Sequence, residues 1–336
     1  MAHLEKTMRF WGLVACVALL LCPALTRADL TAQIKEFPPG LFSDGGHYTL
    51  EDLKGKAVVL VFFEIDYGGN RGKVPEWNKL VEQYKDKPIK FLAVAPKSDL
   101  AKVQKYVNET RLEMPVYADS LRLMDEEWGT KITMDDARIY RILGPDGEVV
   151  GHEMTSEDID KALAGVSWKF NEKDYDPKLT PIVKLLNWNQ YQPAVKLLRP
   201  FVRKDPVTPL AKSANKLYAE VKSEGEQWKT DADGLVATDP VQAFDLYTKV
   251  STVFTGDEFA RSVVVPLRKL KTAKPVTDEL AARMEYEQLY SALPRAKGSQ
   301  RADAKAYCKG IVTQYPDTPT GKKADALATT LAITGG

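Results

Sequence analysis

The chain has 336 residues, enough for two domains with cores of their own. Charged residues make up 28% and hydrophobic residues 44%, the balance of an ordinary globular protein. The formal net charge of +1 supplies neither the basic footprint that nucleic acid requires nor a polybasic patch for a membrane surface.

The N-terminus reads as an export signal. Lys6 and Arg9 precede an apolar run over residues 10–21 that continues past Cys22 to Leu25, and a small-residue cleavage site follows at Ala28. A run of about 15 apolar residues is short for a membrane span. Residues 1–28 are therefore predicted to be a cleaved signal peptide, with a periplasmic or secreted mature chain and no integral span. A lipoprotein is the minor alternative, because Leu13-Val14-Ala15-Cys16 resembles a lipobox but lies inside the run rather than at its end. Cleavage removes Lys6, Arg9, Arg27 and Glu5, which takes the formal charge from +1 to about −1. It also removes Cys16 and Cys22 and leaves Cys308 alone. One cysteine forms neither an intramolecular disulfide nor a dithiol, and His47 and His152 are too few for most zinc sites. No metal and no cofactor is expected.

Residues 57–63, Ala-Val-Val-Leu-Val-Phe-Phe, have the continuous β-branched and aromatic character of a strand buried on both faces. A glycine-rich loop at 67–72 is predicted to lead into a helix over 75–84, with Trp77, Leu80, Val81 and Tyr84 on one face. Residues 89–94 read as a second strand, and Ser98 as the N-cap of a helix carrying Leu100, Val103 and Val107 inward. This alternation predicts βαβ units and a largely parallel sheet. Residues 137–143 and 148–152 flank Gly144-Pro145-Asp146-Gly147 as a β-hairpin. Thr155 and Asp158 then stand at capping-box spacing ahead of a short helix.

The stretch Val61-Phe62-Phe63-Glu64-Ile65-Asp66-Tyr67-Gly68-Gly69-Asn70-Arg71-Gly72-Lys73-Val74-Pro75-Glu76-Trp77-Asn78-Lys79-Leu80 resembles the active-site segment of the periplasmic thioredoxin-like redoxins, the thiol–disulfide reductase and alkyl hydroperoxide reductase superfamily. Phe62 and Phe63 match the family's aromatic pair, Gly68 its glycine, and Arg71 and Pro75 the positions that follow. The match continues through Trp128-Gly129 and the Asp146-Gly147 turn, over about residues 35–165. By this resemblance Tyr67 and Asn70 occupy the two cysteine positions of the Cys-x-x-Cys motif, with Gly68 and Gly69 between them. A phenol, with an ordinary pKa near 10, does not replace a thiolate in disulfide exchange. The family's cis-proline position falls at about Arg138, where this sequence has none. Dithiol chemistry and single-cysteine peroxide chemistry are therefore both excluded for the mature chain. Gly68, Gly69, Gly72 and Lys73 lack P-loop spacing, since three residues separate Gly68 from Gly72 and Val74 follows the lysine. Arg71 and Lys73 remain as candidate contacts for an anion or a partner's carboxylate.

Residues 166–178 are polar, carry several aromatics and no clear period, and read as the connection between domains of 29–165 and 179–336. From Leu179 onward the period is helical. Three stretches, 194–217, 243–270 and 304–327, each combine an apolar stripe, a break and a second alanine-led helix. The last, with Tyr315-Pro316-Asp317-Thr318-Pro319, is similar to tetratricopeptide-type repeats, although the spacing of roughly 50 to 60 residues exceeds that family's. Stacked pairs would leave a concave face for a peptide or protein. A plain helical bundle supporting the first domain is the other reading. Asp231-Ala232-Asp233-Gly234 lacks the preceding acid of a calcium loop, and Cys308 lies on an apolar stripe, as a buried and inert thiol would.

The sequence thus predicts an α/β thioredoxin-like fold followed by an all-α, tetratricopeptide-like domain. Its expected role is redox-inactive binding of an envelope protein or peptide. The alternative is a redoxin-superfamily oxidoreductase working with a thiol from Cys308 or from a partner.

Overall fold

A computed structural model describes residues 37, 41–46, 48–124, 128–133, 137–296 and 298–333. The predicted signal segment 1–28 and His47 lie outside the described residues. The strand β2 (Ala57–Phe63) is completely buried along its length and organises the first half of the molecule. Successive side chains of a strand point to opposite faces. Val59, Val61 and Phe63 accordingly enter one core and Val58, Leu60 and Phe62 another.

Around it stand β1 (Leu41–Phe42), β3 (Ile89–Pro96), β4 (Val116–Asp119), β5 (Arg138–Leu143) and β6 (Val149–Gly151), in the order β1-β4-β3-β2-β5-β6. The sheet is mixed rather than largely parallel. β2, β3 and β4 run parallel, whereas β1 on β4, β5 on β2 and β6 on β5 are antiparallel. The tight turn at Gly144–Gly147 enforces the last of these, since a short hairpin joins only antiparallel strands. In register, Val61 faces Ala93 on one side and Tyr140 on the other.

The helices α1 (Leu50–Leu53), α2 (Gly68–Tyr84), α3 (Leu100–Thr110) and α4 (Ser156–Ala162) complete this half. Thr49 caps α1 in a full capping box with Asp52, and Thr155 caps α4 by accepting from Asp158 N. The cap of α3 is Asp99, whose carboxylate accepts from Lys102 N at 2.8 Å, not Ser98, whose buried hydroxyl donates to Pro96 O. Trp77 of α2, Val103 of α3 and Ile159 of α4 pack against the Phe63 face of β2, while Leu53, Trp128 and Ile132 cover the other.

In the connecting stretch, Trp168 Nε1 donates back to Asp86 O at 3.0 Å. Phe170 turns the other way. Its N–H donates to Asn187 Oδ1 (2.9 Å) and its carbonyl accepts from Asn187 Nδ2 (2.8 Å), so one buried amide clamps the chain onto the helices. These are α5 (Thr180–Asn187), α6 (Tyr191–Leu198), α7 (Pro209–Leu235), α8 (Pro240–Val253), α9 (Glu258–Arg261), α10 (Val264–Lys271), α11 (Lys274–Ala292), α12 (Arg301–Gln314) and α13 (Pro319–Ile333). The expected unit over 304–327 is the hairpin α12–α13. The expected unit over 194–217 is corrected: α6 packs on α5 and α8, and α7 pairs with α8 instead. Gly225 sets that pairing, because a Cβ there would stand 2.4 Å from the ring of Phe254. Asp231 to Gly234 are helical residues within α7, not a cation loop.

Candidate functional site

The segment between β2 and α2 carries Tyr67 and Asn70, the residues that the resemblance is expected to set at the two cysteine positions. α2 begins at Gly68, two turns before the predicted start at Pro75, so the expected glycine-rich loop is corrected to helix. Its buried stripe runs back through Trp77 and Val74 to Asn70, while Gly68, Gly69 and Gly72 face outward. A polar residue on the buried side and three glycines in five positions concealed these turns from an apolar-period reading.

Tyr67 is the N-cap residue, extended at φ −77° and ψ 113°, and its side chain makes no capping hydrogen bond. The ring folds over the first turn instead. A Cβ on Gly69 would lie 2.4 Å from its edge carbon, so glycine at 69 is what lets the ring close against the backbone. The first turn carries no acidic side chain.

Asn70 is fully buried and fully engaged. Its Nδ2 donates to Glu64 O at 2.8 Å and to Ala137 O at 2.9 Å, while its Oδ1 accepts from Arg138 Nη1 at 3.2 Å. One side chain thereby ties the exit of β2, the first turn of α2 and the entry to β5. The backbone reinforces the tie, with Glu64 N donating to Ala137 O at 2.8 Å. Arg138 is thus a partner of Asn70, and these are the two residues that the resemblance is expected to set near the family's proline and second cysteine positions. A carboxamide has two donors and an acceptor, and a thiol could not satisfy all three of these groups.

The two candidate cations are occupied within the chain. Arg71 pairs with Glu109 at 2.9 Å and lies 5.1 Å from the ring centroid of Tyr106, and Lys73 pairs with Glu76 at 2.8 Å. Both pairs are exposed and contribute little individually. Lys102 similarly pairs with Asp66 at 2.6 Å. Beneath Arg71, the buried hydroxyl of Tyr106 has no hydrogen-bond partner among the described residues, and burial pushes its pKa up to about 12. Neither this tyrosine nor the bonding of Asn70 was anticipated from sequence. The one signal for the latter was a polar residue in phase with the apolar stripe.

Cys308 on α12 is completely buried beside Ala282, Ile311 and Ala324, and burial raises its thiol pKa to about 12. It offers no thiolate near neutral pH, and the reading in which it supplies a redox thiol fails. His152 is exposed, and its backbone N–H donates to Asp158 Oδ2 at 3.1 Å. No cluster of three or more metal-ligating side chains occurs among the described residues. No helix among them is long and apolar enough to cross a membrane.

Residues 31–152 match the model of the AhpC/TSA family. Thiol-disulfide oxidoreductases named ResA from Bacillus thuringiensis (strain Al Hakam) and Bacillus anthracis are each 35% identical over 88 residues, 25% of this chain and 50% of theirs. The chain therefore spans about half the length of these curated relatives. Solved structures similar to it include a thiol:disulfide interchange protein DsbE from Chlorobium tepidum (21% identical, 39% of this chain and 99% of that one, TM-score 0.33). Another is a thioredoxin from Neisseria meningitidis (23% identical, 38% and 90%, TM-score 0.32). Over residues 31–152 the chain is thus similar to the AhpC/TSA redoxins, and this thioredoxin-like domain is followed by a largely helical region.

Proposed function

We propose that this protein is an exported, redox-inactive redoxin that binds a protein or peptide partner in the cell envelope. The observation that carries the reading is the conversion of the Cys-x-x-Cys positions into structure: Asn70 spends all its hydrogen bonds inside the protein, and the Tyr67 ring lies on the backbone of Gly69. What remains at the surface is an aromatic ring beside exposed glycines and Arg71, a surface suited to extended peptide rather than to electron transfer.

The test uses the mature chain, residues 29–336. Insulin-disulfide reduction should stay at the uncatalysed rate. Cross-linked capture from an envelope fraction should retain a discrete partner that Tyr67→Ala, Arg71→Ala weakens. Capture unaffected by that double variant, or no capture by folded protein, overturns the proposal.

A second reading has one observation of its own, the 35% identity to ResA thiol-disulfide oxidoreductases across 88 residues. In it the chain orients a partner's thiol for exchange with a substrate disulfide and contributes no sulfur itself. It predicts that adding this chain speeds a captured partner's thiol–disulfide exchange by about tenfold or more, equivalent to about 1.4 kcal/mol of barrier. An unchanged rate rejects it.

A further inference from the structure

Between the redoxin half and the helical half lies a cavity of about 710 Å³. Phe37, Tyr48 and Thr49 line it from the first half, and α8, α11 and the start of α13 supply the rest of its wall. The face that α11 turns to it can be read from the sequence. Glu279, Arg283, Tyr286 and Tyr290 recur at helical spacing, so they stack along one side of the helix. The buried Ala282 and Leu289 serve the core from another side.

Arg283 is held from two sides. Its Nη1 and Nη2 donate to Oδ1 and Oδ2 of Asp245 on α8, both at 2.7 Å, and its Nε donates to Glu279 Oε1 at 2.7 Å. Glu279 is almost wholly buried and accepts from Thr320 N at 3.0 Å and from Thr320 Oγ1 at 2.8 Å. A buried ion pair adds little net stability; what this one does is fix a guanidinium plane at the cavity wall. Three of the five guanidinium N–H groups are used in these bonds, and two remain as donors. Arg283 and Asp245 both keep part of their side chains exposed, so these donors and the spare lone pairs of Asp245 are open to a ligand. The formal charges answer one another. Arg283 lies between two carboxylates, and Asp239 is engaged at the start of α8, where it accepts from Gln242 N at 2.9 Å. The wall therefore offers hydrogen bonds of both senses without a strong preference for either sign of charge.

We propose that this cavity binds a neutral carbohydrate of about two rings. Each sugar hydroxyl both donates and accepts, which matches a wall that sets guanidinium N–H donors beside carboxylate oxygens. The C–H faces of a sugar are apolar, and the half-buried rings of Tyr48, Tyr286 and Tyr290 on the same wall can cover such a face. Tyr286 and Tyr290 stand 6.3 Å apart between centroids and tilt by 45°, a curved rather than a flat platform. The volume, equal to about 24 water molecules, lies within the range of small-molecule sites. A charged body fits less well. An anion would meet the carboxylates that flank Arg283, and a cation would meet Arg283 and Lys323. Because the wall comes from both halves of the chain, the bound sugar touches both.

The test is saturation-transfer NMR on the full mature chain. The probes are maltose, cellobiose, trehalose and N,N′-diacetylchitobiose, with dilysine as a cationic body of comparable length. The expected result is saturable binding of at least one disaccharide, with saturation strongest on the C–H protons of one ring face. Its affinity should change by less than about twofold between about 20 and about 500 mM salt, as an uncharged ligand requires. Arg283→Lys keeps a cation beside the buried Glu279 but removes the planar fork, and should weaken binding by at least about tenfold. Tyr286→Leu keeps an apolar side chain without the ring and should weaken it by at least about fivefold. That variant leaves the bonds of Glu279 in place, so it keeps the test valid if Arg283→Lys folds poorly. Met284→Gln, at an exposed position of α11 outside the cavity wall, should leave affinity unchanged. No saturable binding of any of these sugars by folded chain up to about 10 mM overturns the proposal. So does dilysine bound in place of every sugar, an affinity that collapses with salt, or sugar binding that Tyr286→Leu or a folded Arg283→Lys leaves intact.

Discussion

Asn70→Ala should unlock the junction between β2, α2 and β5 without unfolding the helices. The substitution deletes donations to Glu64 O and Ala137 O and the acceptor used by Arg138. Neither carbonyl becomes an orphan, because Ala137 O still accepts from Glu64 N at 2.8 Å and Glu64 O from Tyr67 N at 3.3 Å. The two lost donations therefore cost about 1 kcal/mol each, the net value of an ordinary hydrogen bond, rather than the larger penalty of a buried unsatisfied group. Arg138 is half-buried and regains water, so its share is small. The space left by the amide adds about 1 kcal/mol. The total, about 3 kcal/mol, corresponds to roughly hundredfold faster exchange of the protected amides by local opening. Hydrogen exchange read by mass spectrometry should show that change in peptides covering 57–70 and 137–143, with α12 and α13 unaffected. Asn70→Asp should do worse than alanine above about pH 4, where a carboxylate faces two carbonyl oxygens and Arg138 offsets only part of the repulsion. That excess should fade as acid protonates it. Exchange in Asn70→Ala within about threefold of wild type, less than 1 kcal/mol, refutes the reasoning.

Gly321→Ala should open the α12–α13 hairpin, since the new Cβ would stand 1.9 Å from Tyr315 O; a loss of about 2–3 kcal/mol is expected from melting curves, and an unchanged melt refutes the contact. Cys308, with its thiol pushed up to about 12 by burial, should resist a thiol-reactive dye in the native chain at pH 8 and react completely in denaturant. The Asp158 carboxylate is held below its ordinary pKa first by the backbone N–H of Glu153, then with help from Lys161 and the N–H of His152. A folded pKa below the unfolded value stabilises above the ordinary carboxylate range and is lost as pH falls through the folded value. Asp158→Asn should therefore cost about 1–2 kcal/mol at neutral pH and flatten the acid limb of the stability curve below about pH 4.

The elements legible in the sequence were those whose local pattern decides their structure. The seven-residue run at 57–63 is β2 residue for residue, and the Gly144–Gly147 turn and the Thr155 cap stand where their chemistry puts them. Illegible were features fixed by residues far apart. The first turns of α2 looked like a loop because Asn70 sits where an apolar residue was expected, and its partners lie 67 and 68 residues along the chain. The sequence places no thiol at 67 or 70, but it could not show that Asn70 acts as a clamp. Helical period likewise reveals which face of α7 is buried but not that α8 covers it, a choice made by Phe254 meeting the bare backbone at Gly225.

The helical half is more than an appended binding module, because it completes the core of the redoxin half. Leu121 and Leu123, which follow β4, are buried with Ala282 and Leu289 of α11, Ile311 of α12 and Leu331 of α13. Arg301 fastens the same joint: its Nε and Nη2 donate to Leu331 O and Thr330 O at 2.9 and 3.0 Å, and its Nη1 donates to Leu121 O. On another side of the sheet, Tyr290 Oη donates to Phe37 O at 3.3 Å. Burying a leucine side chain stabilises by about 1.5–3 kcal/mol, so cutting the chain after 165 forfeits several kcal/mol from Leu121 and Leu123 alone. It also leaves two adjoining apolar side chains in water. A truncated redoxin half that captured proteins would therefore be reporting its own exposed core, and a partner that survives with the full chain is the one that bears on function.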